Sequence, residues 1–270
     1  MNSPKTPGAR EPLVLLHGFG DTPHTWEPIL PLLRDRYEVH TIALRGHFEA
    51  APLPKGVKAS ARALADAVEA DMDSAGLTTA HVVGNSLGGW LALELGARGR
   101  ARSVTALAPA GGWNRRQAIE IRTGFFMIMM RVLARIGYPI RKWLLKSSRR
   151  RRMAMRDITP RGDLMTPAEA EQSMVGFLGA KIFYRLIWGE LTSPLMLATP
   201  IKCPLTIAWG TADRVLPIKG CTERWLREFP TADWRLWPGV GHVPMIDAGE
   251  EVVRAIDETA DRANALPAAA

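Results

Sequence analysis

Short apolar runs of strand character alternate with longer segments of helical periodicity along most of this chain. The runs predicted as strands are residues 13–17, 37–44, 81–85, 103–108, 205–209 and 233–237. Apolar residues recur at helical spacing over residues 59–75, 87–96 and 250–265. The first run, Leu13-Val14-Leu15-Leu16, is continuously apolar, as a strand covered by helices on both faces requires. The alternation therefore predicts an α/β fold with a mainly parallel six-stranded sheet flanked by helices.

The alternation is interrupted between residues 113 and 199, where apolar residues recur at helical spacing with basic residues between them. We predict an inserted helical cap at 113–199, with 1–112 and 200–270 forming the two parts of one core. In such folds ligands bind at the carboxyl edge of the sheet, over which the cap would lie. Its apolar side chains include Phe125, Phe126, Met127, Met130, Phe177, Phe183 and Trp188. Candidate substrate contacts are Trp113, Phe126 and Met130.

The composition is that of a globular protein, with 47% apolar and 23% charged residues among 270. It excludes a disordered chain, a collagen-like repeat and a coiled coil. We expect Cys203 and Cys221 to be small buried hydrophobes in a reducing compartment, and we expect no metal or organic cofactor. Residues 1–12 lack the apolar core of a secretory signal, and the apolar run 125–130 is too short to span a bilayer. A cytoplasmic location is therefore expected.

The positive charge is concentrated in the predicted cap. Residues 131–161 contain eleven lysines and arginines and one acid, Asp157, so this segment carries +10 while the whole chain carries +8. The concentration favours an anionic substrate, an acidic acyl carrier protein or a membrane surface, although a solvated helix face has the same pattern. No recognition fold accompanies the arginine run 149–152, so nucleic-acid binding is not expected. The sequence leaves the oligomeric state open.

The motif with the most chemical content is Gly84-Asn85-Ser86-Leu87-Gly88, which lies between a predicted strand and a predicted helix. So tight a turn forces the serine into strained dihedral angles and requires small residues two positions before and after it. The hydroxyl is then lifted above the sheet beside a helix N-terminus, where negative charge is favoured. Ser86 is therefore the candidate nucleophile, and the alternative is a serine that only caps the helix.

A serine nucleophile needs a base and an acid that orients the base. Asp213 and His242 lie in the loops after the fifth and sixth predicted strands, and of the six histidines His242 alone comes after the acid. Asp247 competes with Asp213, but it begins the final helical region and has the position of a cap or surface acid. We expect His17 to be a buried hydrogen-bonding residue and His47 to anchor its own turn.

An acyl transfer also needs two N–H donors where negative charge develops on the carbonyl oxygen. Leu87, the residue after the candidate nucleophile, supplies one N–H group. The other is expected in the loop after the first strand, where Phe19 stands between Gly18 and Gly20. Phe19 and Leu87 are therefore the candidate oxyanion-hole residues.

Four segments together resemble the α/β-hydrolase superfamily: His17-Gly18-Phe19-Gly20, Gly84-Asn85-Ser86-Leu87-Gly88-Gly89, Gly210-Thr211-Ala212-Asp213 and Gly241-His242. The chain is most similar to cap-bearing members, which include carboxylesterases, meta-cleavage C–C hydrolases and lipase-like proteins. The resemblance implies Ser86 as nucleophile, His242 as general base and Asp213 as its partner. It likewise implies Phe19 and Leu87 as oxyanion donors.

This chain departs from the superfamily pattern at two positions of one turn and at its first strand. Many relatives have an aspartate at the position of Ala43 and a glycine at that of Phe48, and an N-terminal antiparallel hairpin is not predicted here. A serine at position 86 argues against haloalkane dehalogenases and epoxide hydrolases, since those relatives use a nucleophilic aspartate there. Because cap sequences vary most across the superfamily, the resemblance does not define a substrate.

Three functions follow from these observations. The first is a serine hydrolase that cleaves a carboxylic ester or thioester with a hydrophobic moiety through an acyl-enzyme. The second is a C–C bond hydrolase of the meta-cleavage type, which the Gly84-Asn85-Ser86 sequence suits, although the Gly-Pro-Gly pattern common in those relatives is absent after the first strand. The third is a ligand-binding or membrane-associating protein on a hydrolase fold, with the basic cap as its working surface.

Overall fold

Six strands form one sheet in the order β2-β1-β3-β4-β5-β6, and all five neighbouring pairs are parallel. The computed structural model describes residues 10–113, 118–191 and 200–266. The strands are β1 (Glu11–Leu16), β2 (Tyr37–Ile42), β3 (Ala80–Asn85), β4 (Ala101–Leu107), β5 (Leu205–Gly210) and β6 (Asp233–Trp237). The predicted α/β fold with a six-stranded parallel sheet is therefore confirmed.

Helices follow the strands and fill the long connection between β4 and β5. They are α1 (Leu30–Leu33), α2 (Ala61–Ser74), α3 (Leu87–Ala97), α4 (Ala118–Gly137), α5 (Arg141–Lys146), α6 (Ser148–Met155), α7 (Pro167–Gly179), α8 (Phe183–Leu191), α9 (Ile218–Cys221), α10 (Glu223–Glu228), α11 (Pro244–Asp247) and α12 (Gly249–Asn264). The start of α2 is two residues later than predicted because Ser60 is its N-cap and accepts a hydrogen bond from the amide of Ala63.

Strand β2 is shorter than the predicted segment 37–44 and ends at Ile42. The reason is the amide of Leu44, which donates to Nε2 of His17 at 3.0 Å instead of to a neighbouring strand. The chain therefore leaves the sheet where it meets the end of β1, and the turn of residues 45–48 begins there. Phe48, where many relatives have glycine, has a φ of 21° in the region that favours glycine.

Both faces of the inner strands of the sheet are buried, as the continuous apolar run in β1 predicted, whereas the edge strands β2 and β6 are partly exposed. Leu13 and Leu15 pack in a cluster with α1 and α12, whereas Val14 and Leu16 point to the other face and pack with α2 and α3. Successive residues of a strand face opposite sides, so a strand covered twice needs apolar residues at every position. The two layers of helices hold the carboxyl ends of β1, β3, β5 and β6 at one edge of the sheet.

Between β4 and β5 the described chain folds as helices α4 to α8. This helical region has a small core of its own, formed by Leu145, Met155, Met165 and Ala170. The ends of the predicted cap, residues 114–117 and 192–199, lie outside the described residues, so the division into a core and a cap stays a prediction. Within the described ranges no helix combines the length and the apolar character needed to cross a bilayer.

The two cysteines differ in their environments, and both are free. Cys221 is fully buried, as predicted, but Cys203 is only partly buried, so that prediction was wrong for Cys203. Burial raises the pKa of the Cys203 thiol to about 11 and that of Cys221 to about 12. Both side chains are therefore neutral thiols at physiological pH and poor nucleophiles.

Candidate active site

Ser86 occupies the sharp turn between β3 and α3. Its φ and ψ are 56° and −115°, a strained conformation for a residue with a side chain. A Cβ on Gly84 would collide with the backbone of Gly88, and one on Gly88 would collide with the carbonyl of Leu16. The two glycines therefore permit the turn, and the strand and helix on either side hold the strain in place.

His242 and Asp213 form a buried pair at the ends of β6 and β5. Nδ1 of His242 lies 2.7 Å from Oδ2 of Asp213. The other carboxylate oxygen, Oδ1, accepts from the amides of Val215 at 2.9 Å and Leu216 at 2.8 Å. These two amide donors fix the carboxylate plane, so Oδ2 accepts a proton-bearing Nδ1 and leaves Nε2 of the imidazole as the basic nitrogen.

The backbone of His242 is tied to two separate parts of the chain. Its amide donates to the carbonyl of Ile158 at 2.9 Å, and its carbonyl accepts from Nδ2 of Asn85 at 2.9 Å. The same Asn85 amide group also donates to the carbonyl of Leu107 at 3.2 Å. Asn85, the residue before Ser86, therefore joins the serine turn to the histidine loop. The only sequence signal for this role is that Asn85 is a polar residue at the end of a largely apolar strand.

Phe19 and Leu87, the candidate oxyanion donors, line the same cavity as Ser86 and His242. Among the residues that the structure describes, neither amide N–H has a hydrogen-bond acceptor. The ring of Phe19 stacks on Phe183 with centroids 4.9 Å apart and meets the edge of His47 at 5.9 Å. Gly20, with a φ of 75°, completes the turn, and a Cβ there would meet the ring of Phe177 at 2.5 Å.

The two buried histidines beside this loop are structural, as predicted. His17 donates through Nδ1 to the carbonyl of Gly18 at 2.9 Å and accepts the Leu44 amide at Nε2. Nδ1 of His47 lies 3.2 Å from the carbonyl of Leu44. Burial is the largest cause that lowers their pKa values, to about 3 for His17 and about 4 for His47. Both rings are therefore neutral near pH 7, and the loop carries no added positive charge.

A cavity of about 530 Å³ lies between the carboxyl edge of the sheet and helices α4 to α8. Ser86, His242 and the Phe19 loop form its floor, and its walls are mainly apolar. Two of the three predicted substrate contacts, Trp113 and Met130, line it. Phe126 is not part of the lining and packs against the main core cluster instead. The reason is that Phe126 precedes the cavity-facing Met127 on α4, so its side chain is rotated by about 100° around the helix from that of Met127.

The basic segment makes little contact with the cavity. Of its eleven lysines and arginines, Arg156 alone lines the cavity in the described part of the chain, and Asp157 lies 3.8 Å from its guanidinium. Arg151 is buried and donates to the carbonyls of Leu145 and Asp163 instead of pairing with a carboxylate. The segment is therefore not a uniform solvated face, and most of its charge does not face the cavity.

Two acids near the site have roles that the sequence did not indicate. Asp21 lines the cavity beside the Phe19 loop, and burial raises the pKa of its carboxyl to about 6. Asp247 is partly buried and accepts from the hydroxyl of Thr159 and from the amides of Gly241 at 2.8 Å and Arg161 at 3.2 Å. Asp247 thus joins the helical region to the histidine loop, which corrects its interpretation as a cap or surface acid.

The fold and this arrangement define an α/β enzyme whose site lies at the carboxyl edge of a parallel sheet. Residues 13–255 match the model of the alpha/beta hydrolase family, and the chain belongs to that family. Within the described residues no group of three or more potential metal ligands is found. The expected absence of a metal stays a prediction.

Proteins similar to this chain include an epoxide hydrolase and a methyl ester esterase. The chain is 32% identical over 200 residues to "Epoxide hydrolase EphH" of Mycobacterium tuberculosis, and this alignment covers 73% of this chain and 93% of that protein. It is 28% identical over 273 residues to "Pimeloyl-[acyl-carrier protein] methyl ester esterase" of Chromobacterium violaceum, covering 94% and 96%. The crystal structure of the enol-lactonase from Burkholderia xenovorans is similar in fold, with a TM-score of 0.69 at 18% identity over 94% of this chain and 93% of that one. The comparisons establish a hydrolase of this family.

Proposed function

We propose that this protein is a serine hydrolase that cleaves a carboxylic ester or thioester with a hydrophobic moiety through an acyl-enzyme. The observation that carries the proposal is the 2.7 Å contact between Asp213 and His242, where His242 lies on the same cavity floor as Ser86 in its strained turn. Strain at Ser86 and a buried histidine–carboxylate pair are both costly for a fold. Their meeting at one apolar cavity supports catalysis as the reason for both.

In this mechanism Oγ of Ser86 attacks the substrate carbonyl carbon while Nε2 of His242 accepts its proton. The negative charge that develops on the carbonyl oxygen is stabilised by the amides of Phe19 and Leu87. Asp213 holds the tautomer with a proton on Nδ1 and stabilises the imidazolium. The imidazolium then protonates the departing alcohol or thiol. Water, deprotonated by His242, attacks the acyl-enzyme and releases the carboxylic acid.

The cavity supports a hydrophobic substrate. Met127, Met130, Leu144, Phe177 and Ile187 are among its walls, and unbranched, polarisable methionine side chains adapt to chains of different shape. Ionisable groups other than His242 are confined to Asp21, Arg156 and Asp157 within the described lining. Recognition in the cavity is therefore dominated by apolar contact, and the carbonyl is oriented by the oxyanion donors.

Epoxide hydrolysis is the second candidate, because of the similarity to the epoxide hydrolase of Mycobacterium tuberculosis. The chemistry of position 86 argues against it. An aspartate that opens an epoxide forms an ester, which water can cleave at its carbonyl. A serine would form an ether, which has no carbonyl to attack and would end the reaction after one turnover. Ester cleavage therefore suits Ser86 better.

Turnover of p-nitrophenyl esters of increasing acyl length tests the proposal. We expect hydrolysis by the natural sequence, and a loss of more than 10³-fold in kcat for Ser86→Ala. A fluorophosphonate probe should modify Ser86 in the natural sequence and leave the His242→Ala variant unmodified. Full activity of Ser86→Ala would refute the proposal. Turnover of a styrene-type epoxide or of a ring-fission diketone, without ester turnover, would favour one of the alternatives.

A further inference from the structure

Helix α4 has two apolar faces, and only one of them is covered. Met127, Met130 and Ala134 face the cavity. On the opposite side Phe125 and Ile136 are 63% and 69% exposed, and Met129 and Val132 are also exposed. Leu133, between this side and the cavity, is exposed as well. At about 100° per residue, these five exposed side chains form one stripe about 100° wide. The chain therefore presents a continuous apolar surface to solvent along most of α4.

Two more exposed apolar side chains follow in the segment after α4. Ile140 and Trp143 are 54% and 60% exposed. The guanidinium of Arg150 lies 4.2 Å from the centre of the Trp143 ring and donates to the Trp143 carbonyl at 2.8 Å. We call the five α4 side chains together with Ile140 and Trp143 the outer face. Tryptophan with an adjacent cation is typical of side chains at a lipid–water boundary, since one part is apolar and the other hydrated.

Basic side chains stand beside the outer-face residues in the sequence, and among the described residues no carboxylate neutralises their charge. In the portion of the chain that is described, no carboxylate lies within ion-pair distance of Arg135, Lys142, Lys146, Arg149 or Arg150. None of these five lines the cavity. Their charge therefore attracts something outside the molecule and does not contribute to binding a substrate inside it.

We propose that the outer face docks on an anionic membrane surface. Large exposed apolar side chains would enter the lipid headgroup and acyl boundary, while the neighbouring lysines and arginines would contact anionic headgroups. An acidic soluble protein would satisfy the charges but would not require seven exposed apolar side chains. A basic and apolar combination on one helix surface matches the chemistry of a bilayer better than that of an acidic protein.

The cavity opens at this same surface. Leu133 and Met153 both line the cavity and are each 59% exposed, so they mark its rim between α4 and α6. An amphiphile in a bilayer would therefore enter the cavity from the side that touches the membrane. This extension rests on the proposed function: it assigns an acyl ester that partitions into membranes as the substrate class.

Co-sedimentation with vesicles tests the docking without any catalysis, using the full chain with Ser86→Ala. We expect binding to vesicles of equal parts phosphatidylglycerol and phosphatidylcholine, and little binding to phosphatidylcholine alone. The triple variant Lys142→Gln, Lys146→Gln, Arg149→Gln should bind on the order of 100-fold more weakly at low salt, at about fivefold per charge. The triple variant Phe125→Ser, Ile136→Ser, Trp143→Ser should bind at least about tenfold more weakly.

Matched variants outside α4–α8 serve as controls. Arg62→Gln, Arg227→Gln and Arg254→Gln remove three exposed charges, and Leu226→Ser with Leu236→Ser removes two exposed apolar side chains. Both sets should bind vesicles like the parent chain. Equal binding by the outer-face variants and these controls would overturn the docking. So would salt-dependent capture of an acidic acyl carrier protein without vesicle binding, or burial of the outer face in a dimer detected by sedimentation velocity.

The substrate extension has a separate readout, measured on the chain with Ser86 intact. The apolar outer-face variant should keep its kcat/KM for soluble p-nitrophenyl acetate and lose at least tenfold for a long-chain ester embedded in anionic vesicles. If the variant kept the kcat/KM of the parent chain for both esters, entry of the substrate from the membrane would be refuted. Vesicle binding with no turnover of either ester would instead refute the proposed function and leave the docking standing.

Discussion

Replacement of Asp213 by asparagine should change the tautomer of His242 while it keeps the hydrogen bonds that stabilise the Asp213 loop. In the structure Oδ1 of Asp213 accepts two amides, from Val215 and Leu216, and Oδ2 faces Nδ1 of His242. An asparagine oxygen can accept the same two amides, which turns its NH₂ group toward His242. Nδ1 must then be the acceptor, so the proton moves to Nε2, where it prevents the imidazole from accepting the Ser86 proton.

We expect Asp213→Asn to lower kcat for a short p-nitrophenyl ester by about 10⁴-fold, which corresponds to about 5.5 kcal/mol of transition-state stabilisation. The urea midpoint of unfolding should change little, because the amide donors keep their acceptor. Asp213→Ala is the matched control. It leaves two buried amides without an acceptor, at about 1–3 kcal/mol each, so its unfolding free energy should fall by about 2–6 kcal/mol.

Comparison of these two variants tests whether the two carboxylate oxygens of Asp213 have separate roles. A loss of less than tenfold for Asp213→Asn would show that His242 does not depend on this carboxylate for its tautomer. An equal loss of stability in both variants would show that the asparagine does not keep the loop bonds. Either result would refute the reasoning that assigns separate tasks to the two carboxylate oxygens.

Three further substitutions have defined outcomes. Gly88→Ala should lower the unfolding free energy, measured by urea denaturation, by about 3 kcal/mol or more, because its Cβ would meet the Leu16 carbonyl. Gly137→Ala is the control: the nearest atom to its Cβ is 3.8 Å away, so the unfolding free energy should change by less than about 1 kcal/mol. The raised pKa of Asp21, about 6, means that its ionisation weakens the native state as pH rises from about 4 to 6. Asp21→Asn should remove this loss, which amounts to up to about 3 kcal/mol of unfolding free energy over that pH range. Parallel curves of unfolding free energy against pH for the two proteins would contradict this prediction. Asp247→Ala should lower kcat about tenfold with little change in KM, because the histidine loop loses one of its bonds to the helical region and keeps only those to the Ile158 carbonyl. An unchanged kcat would exclude that role.

The sheet and the serine turn could be predicted because their signals are local. A strand buried on both faces is apolar at every position, and a turn such as Gly84 to Gly88 tolerates few other residues. The positions of Asp213 and His242 followed from chain order, since each lies just past a strand end. Catalytic roles for these residues stay a proposal, but their meeting at one edge follows from the parallel topology.

The contacts of the helical region could be predicted only in part, because α4 is apolar on both sides: Met130 lines the cavity as expected, but Phe126 does not. Periodicity identifies an apolar face but does not say which of two such faces meets the sheet, so Phe125, Phe126 and Met127 were equivalent in the sequence. In the structure the first is exposed, the second packs on the core, and the third lines the cavity. Likewise, the long-range bonds of Asn85 and Asp247 join segments far apart in the chain and leave no periodic trace.

Within the described residues, the hydrogen bonds between the helical region and the histidine loop lie on the side of α6. The carbonyl of Ile158, three residues after the end of α6, accepts from the amides of both His242 and Val243, and Asp247 adds the bond to Thr159. Over the part of α4 whose side chains are described, no hydrogen bond to that loop is present. Arg131 of α4 donates instead to the carbonyls of Phe177 and Leu178 near the end of α7. Widening the cavity by moving α6 would therefore disturb the position of His242, at about 1 kcal/mol for each bond broken. Widening it by moving α4 would leave the histidine in place, so we expect a large substrate to enter on the α4 side without loss of the geometry that the proposed chemistry needs.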